Sequence, residues 1–184
     1  MLKSFAFLVI PALLVLTQSA QGDRVIISSY APPSDLAELV RSADVVAVIR
    51  VTSTTPWESH ASARSFVEHT AIVQEFIKGS EFVSQGPTPT TIRFVEEGGE
   101  RLTPSGKVKS TNTESLENNE DGIVFLTFTP ALNRFQLAMG PHGLYKIKNG
   151  ALHAAAPSDV ANENSRKSLN EFKAALKKAA QTIR

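Results

Sequence analysis

Four histidines, His60, His69, His142 and His153, are the first residues to test for chemistry. None stands three or four residues from another, the spacing that sets two imidazoles on one helix face around zinc. Glu68 adjoins His69, but neighbours along a strand point to opposite faces; His69 shares a face with Val67, and Glu68 shares one with Thr70. No metal and no cofactor are expected. A site assembled in space from His69, His142 and a carboxylate is what remains for an envelope hydrolase, the alternative function here. No Gly-x-Ser-x-Gly elbow occurs, and no serine sits between glycines in a strand-to-helix turn. Glu96, Glu97 and Glu100 offer the acid pair that glycosidases use. The glycines among them and the lack of aromatic sugar platforms nearby point instead to a solvated turn, and Gly98-Gly99 shows no phosphate-loop pattern. No residue is assigned a catalytic role.

Composition narrows the classes further. The chain has 184 residues, no cysteine, ten phenylalanines, and 19 basic against 18 acidic side chains. Without cysteine there is no disulfide framework, thiolate metal site or cysteine nucleophile, so stability rests on packing. Lys3 followed by the apolar run Phe5 to Leu16 and a small, polar exit reads as a secretory signal over residues 1–22, cleaved between 19 and 22. The run is shorter than the roughly 20 apolar residues that span a bilayer, so no stable membrane insertion is expected after cleavage. Loss of Lys3 leaves 18 charges of each sign, and a neutral domain has no field to draw it onto nucleic acid. The expected product is a secreted or periplasmic single domain over residues 23–184.

The elements that would carry any site follow from pattern. Val25 to Ile27 suit a short strand in an extended arm ended by Pro32-Pro33. Ser34 stands at an N-cap position for a helix of two to three turns ending near Ser42-Ala43. Asp44 to Thr52 is β-branched and apolar enough to be covered on both faces. Thr54 to Ala63 reads as a polar loop holding Trp57. Strands are expected at Ser65 to Lys78, Thr90 to Val95, Ile123 to Thr129 and Arg134 to Met139. Glu96 to Gly99 stops the second of these, and Arg101 to Asn119, without periodicity, reads as a long mobile loop. Gly140-Pro141-His142-Gly143 is a tight turn, and Asn149-Gly150 joins a hairpin of Leu144 to Lys148 with Ala151 to His153. Leu169, Phe172, Leu176, Ala179 and Ile183 give one apolar stripe on a closing helix, 165–182. Ser168 and Glu171 have capping-box spacing but fall inside that stripe. The sum predicts a mainly β (α+β) fold: a small antiparallel OB-like barrel of five to seven strands, with an N-terminal short helix and a C-terminal amphipathic helix.

The phrases SADVVAVIRV (Ser42 to Val51), FIKG (Phe76 to Gly79), IVFLTF (Ile123 to Phe128) and GPHGLYKI (Gly140 to Ile147) resemble, in that order, a group of uncharacterised secreted bacterial proteins. The likeness spans roughly Leu36 to Asn149. The strand layout is also similar to the OB-type barrel of netrin-like and metalloproteinase-inhibitor domains. In those inhibitors an N-terminal cysteine chelates the target's zinc; this chain has none, so the mechanism does not transfer. The resemblance implies fold and no site. The expected function is therefore an exported, non-enzymatic binding module for an extracytoplasmic protein or a small ligand. Its contact surface is placed on Trp57, Glu96, Glu97, Glu100, Arg101, Pro141 and His142, in loops and turns on a β scaffold. Glu96 to Asp121 carries seven acids against three bases, and Glu163 to Arg184 six bases against two acids. Either could dock a partner.

Overall fold

The computed structural model describes residues 24–26, 30–58, 65–83, 89–103, 106–110 and 115–183. The leader over residues 1–22 and His60 lie outside them. In order, the elements are β1 (Arg24–Ile26), α1 (Leu36–Ser42), β2 (Val45–Glu58), β3 (Ser65–Lys78), a 3-10 turn (Ser80–Phe82), β4 (Thr91–Glu97), β5 (Gly99–Thr103), β6 (Gly106–Ser110), β7 (Asp121–Thr129), β8 (Arg134–Leu137), a second 3-10 turn (Gly140–Gly143), β9 (Leu144–Lys148), β10 (Ala151–Ala154), α2 (Asp159–Asn164) and α3 (Leu169–Thr182). Seven strands make one sheet in the order β10-β9-β7-β2-β3-β4-β8, and β8 bonds to β7 as well as to β4. β1, β6 and β5 form a small second sheet.

The sheet is mixed, which corrects the antiparallel expectation. β2, β3 and β4 alternate in direction, β7 runs against β2, and β8 turns back along β7. β8 therefore points the same way as β4, and the two pair in parallel. Five strands joined in that circuit cannot all alternate; an odd count leaves one parallel contact.

Alternation along the strands makes two cores. Val45, Ala47, Ile49 and Val51 of β2 face one way, with Ala71, Ile92, Phe94, Val124, Leu126, Leu137 and Leu144. Apart from Val83 and Leu116 this cluster is built by strands alone, so the sheet curves around its own side chains. Val46 and Val48 face the other way, under α1 and α3, with Leu39, Val40, Phe125, Tyr145, Phe172 and Leu176. The stripe expected on the closing helix lies on this second core, where the Phe172 ring sits 4.9 Å from that of Tyr145. Burying such a stripe stabilises by about 25 cal/mol per Å² of apolar surface.

Four local expectations change. The closing helix starts at Leu169 rather than 165: Ser168 and Glu171 form a complete capping box directly before the apolar stripe, satisfying the orphan N–H groups of the helix start, and a separate short helix, α2, capped by Ser158, precedes it. Asp35, not Ser34, is the N-cap of α1. β2 continues through Trp57 to Glu58 instead of ending in a loop. Among the described residues, β2 beyond Val51 is paired with β3 alone, an edge position where a proline such as Pro56 is tolerated. Finally, Arg101 to Asn119 is not an unstructured loop. It contains most of the β5–β6 hairpin, and Leu116, 1% exposed, enters the first core. Five-residue strands with one apolar residue each are too short to show a period.

Candidate functional site

Two arrangements are built around the residues that the sequence singles out, and a third around residues it does not. The first is a buried polar cluster. His69 on β3 is opposite Thr54 on β2 and Phe94 on β4, so all three share the curved inner face. Glu96, two residues past Phe94, shares it as well. The His69 ring stacks on Phe94 at 5.0 Å. Its Nδ1 lies 3.2 Å from Thr54 Oγ1 and its Nε2 3.2 Å from Glu96 Oε2. Ser115 Oγ donates to the same Glu96 oxygen at 2.8 Å. A carboxylate only accepts, which places a proton on Nε2.

Hydroxyl, imidazole and carboxylate in line is the order of a nucleophile, its base and the group that orients the base. Here His69 is fully buried and Glu96 is 4% exposed. His69 lines none of the recesses at Tyr30, Gly79, Pro157 and Phe82. The cluster is a latch: it satisfies two buried polar groups, His69 and Glu96, with the half-buried Thr54 and Ser115, and ties Ser115, next to Leu116, to the sheet. His142 is not part of it. It lies in the turn after β8, hydrogen-bonded to the Tyr30 backbone, and burial holds its imidazole below the usual histidine range. Among the described residues no group of three or more His, Asp or Glu is placed to hold a metal ion.

The second arrangement is a seam on the outer face. Cross-strand pairing sets Trp57, Phe66 and Glu97 in one row over β2, β3 and β4. The Trp57 and Phe66 rings meet edge to face at 5.5 Å. Tyr30, from the arm before α1, donates its hydroxyl to Glu97 Oε2 at 2.6 Å. Its ring covers Gly140, where a Cβ would fall 2.5 Å from the ring at a φ of +60°. Tyr30, Phe66, Glu96, Glu97, Gly140 and Pro141 enclose about 20 Å³, room for about one water molecule. Glu97, Pro141 and His142 thus gather around Tyr30 and Trp57 packs on the Phe66 ring, while Glu96 turns to His69. Glu100 and Arg101 are on β5, opposite Lys109 and Val108 of β6.

The third arrangement is a recess of about 520 Å³ between β4 and β8. Thr91, Ile92 and Arg93 form one wall and Asn133, Arg134 and Phe135 the other, with Phe82, Val83 and Phe128 at its mouth. It exists because β8 pairs with only Phe94 and Val95 of β4. Thr91 to Arg93 have β3 on one side and, among the described residues, no strand on the other. Phe82 is 57% and Phe128 44% exposed, the large apolar side chains most open to solvent. The Phe128 ring packs edge to face on Phe135 at 5.6 Å. Arg134 is neutralised by Glu68 at 2.8 Å, while Arg93 stands exposed on the outer side of the wall. Sequence reasoning did not reach this site. Its one visible signal is Phe128, an apolar residue carried to the last turn-facing positions of β7.

The two charged surfaces considered for docking are largely compensated from within. Lys173 and Lys177 of α3 both grip Glu75 of β3, the latter at 2.7 Å, and hold its carboxyl below the usual range. Glu120 pairs with the nearly buried Lys146 at 3.1 Å, and Asp121 takes two hydrogen bonds from Arg50 at 2.7 Å. A search of protein-family models finds no match for this chain, and no curated protein is significantly similar to it.

Proposed function

We propose that the chain is an exported, non-enzymatic binding module on an OB-like five-stranded barrel, and that the recess between β4 and β8 is its ligand site. For the barrel, the support is the pairing circuit β2-β3-β4-β8-β7 with its single parallel contact, the strand order of that fold. For export, it is the apolar leader of residues 1–22. For the site, the carrying observation is the pair of exposed rings, Phe82 and Phe128, lining a recess of about 520 Å³. Such apolar groups cost solubility unless something covers them.

The test is capture of envelope components by wild-type protein and by the Phe82→Ser/Phe128→Ser double variant, checked for folding because Phe128 packs on Phe135. A component held by the first and lost by the folded second supports the reading; equal capture by both, or none by either, removes it. The hydrolase alternative has the Thr54–His69–Glu96 line in its favour and the burial of His69 against it. Hydrolysis of a p-nitrophenyl ester that disappears in His69→Gln would revive it.

A further inference from the structure

We infer that the recess takes an extended peptide segment as an added strand on β4, with alternating apolar and acidic side chains; this rests on the binding-module reading above. The backbone comes first. Val73 N–H bonds to Thr90 O at 2.9 Å, and the register steps from there to Ala71 opposite Ile92 and His69 opposite Phe94. In an antiparallel ladder such pairs exchange both bonds, so Ile92, Phe94 and Glu96 turn their N–H groups toward β3. Thr91 and Arg93, one residue out of phase, turn theirs the other way, into the recess. The parallel pairing with β8 starts only at Phe94 opposite Phe135. By the same phasing the Arg93 carbonyl accepts from Phe135 N–H where the parallel pairing begins, so among the described residues the groups left without a strand are the Thr91 N–H and C=O and the Arg93 N–H. Such an edge, beside a cleft lined by Ile92, Phe128 and Phe135, is the site that strand addition uses.

The side chains then dictate the pattern of the guest. A strand laid beside Thr91 to Arg93 alternates its side chains between the two faces of the sheet. Those turned inward meet Ile92, Phe128 and Phe135, so they must be apolar. Those turned outward meet Arg93, which lies exposed beside Thr70 and Thr91. Among the described residues, the charged groups lining the recess are Arg93 and Arg134, and Arg134 is bound to Glu68, which leaves the Arg93 charge unmatched among them. A carboxylate complements it, and a lysine in that place would be repelled.

The test uses full-length mature protein and three blocked pentapeptides, followed by amide NMR. One alternates valine and aspartate, the second replaces aspartate with lysine, and the third is the first peptide N-methylated at alternate amides. The inference expects the acidic peptide to shift and protect the Thr91 and Arg93 amides. It expects at least fivefold weaker binding from the lysine and N-methylated peptides, and reversal of the charge preference in Arg93→Glu. Equal binding of all three peptides at the recess would overturn strand addition while leaving a binding site there. Binding of none, while the double phenylalanine variant still loses its captured component, would overturn the peptide class but not the binding reading. A concentration-dependent dimer in which the same two amides are protected would also overturn the inference, since a second copy would then be the occupant.

Discussion

Leu116→Ala tests whether the polar segment before β7 belongs to the core. Leu116 is 1% exposed, and its two methyl carbons lie 3.3 and 3.4 Å from where a Cβ on Gly122 would stand. Truncating a leucine packed this closely removes its transfer energy and leaves a cavity; measured cases cost about 3 to 5 kcal/mol. Taking the lower end, about 3 kcal/mol is expected. Against a domain stability of roughly 5–15 kcal/mol that is a large share. With a urea slope of about 2 kcal/mol per molar, the midpoint should fall by about 1.5 M at unchanged slope. Phe82→Ser, which removes a larger side chain from solvent, should stay within about 0.5 kcal/mol of wild type. A Leu116→Ala midpoint within 0.3 M of wild type, on the order of the extrapolation error, would refute the placement of this residue and make the whole 99–119 segment an appendage.

Two further perturbations read the electrostatics. Glu75→Gln should cost less than about 1 kcal/mol at neutral pH, since Lys177 is half exposed and such pairs are screened. The carboxyl is held below its usual value, so its contribution is complete above the ordinary glutamate range and is lost as pH falls through the lowered one; urea midpoints of variant and wild type should therefore converge on acidification. Tyr145, buried under α3, has its phenol pushed up to about 12. Neutral Tyr145 is the form the core holds, so stability should decline as pH rises from about 10 toward 12. Tyr145→Phe should flatten that decline in an alkaline denaturation series, and an unchanged curve would rule out burial as the cause.

What could be read in the chain before its structure was whatever depends on local pattern. β3 runs from Ser65 to Lys78 as its β-branched run indicates, and the hairpin at Asn149-Gly150 has both residues at positive φ as its turn chemistry requires. The α3 stripe meets the core residue for residue. What escaped depends on register and on exchange between elements. His69 and Glu96 were both visible as chemical groups, but only strand pairing brings together two residues 27 positions apart. Leu116 is one apolar residue in a polar stretch, and no periodicity singles it out. The recess is a place where β8 is too short to finish pairing with β4, and strand length is the least legible property of a sequence.

Amide hydrogen exchange of the free protein tests the open edge most directly. Thr91 and Arg93 should exchange far faster than their neighbours Ile92 and Phe94, whose N–H groups are spent on β3, giving alternating protection along the first half of β4. Uniform protection from Thr91 to Phe94 would mean that a partner already lies along that edge, and the binding site proposed there would not exist.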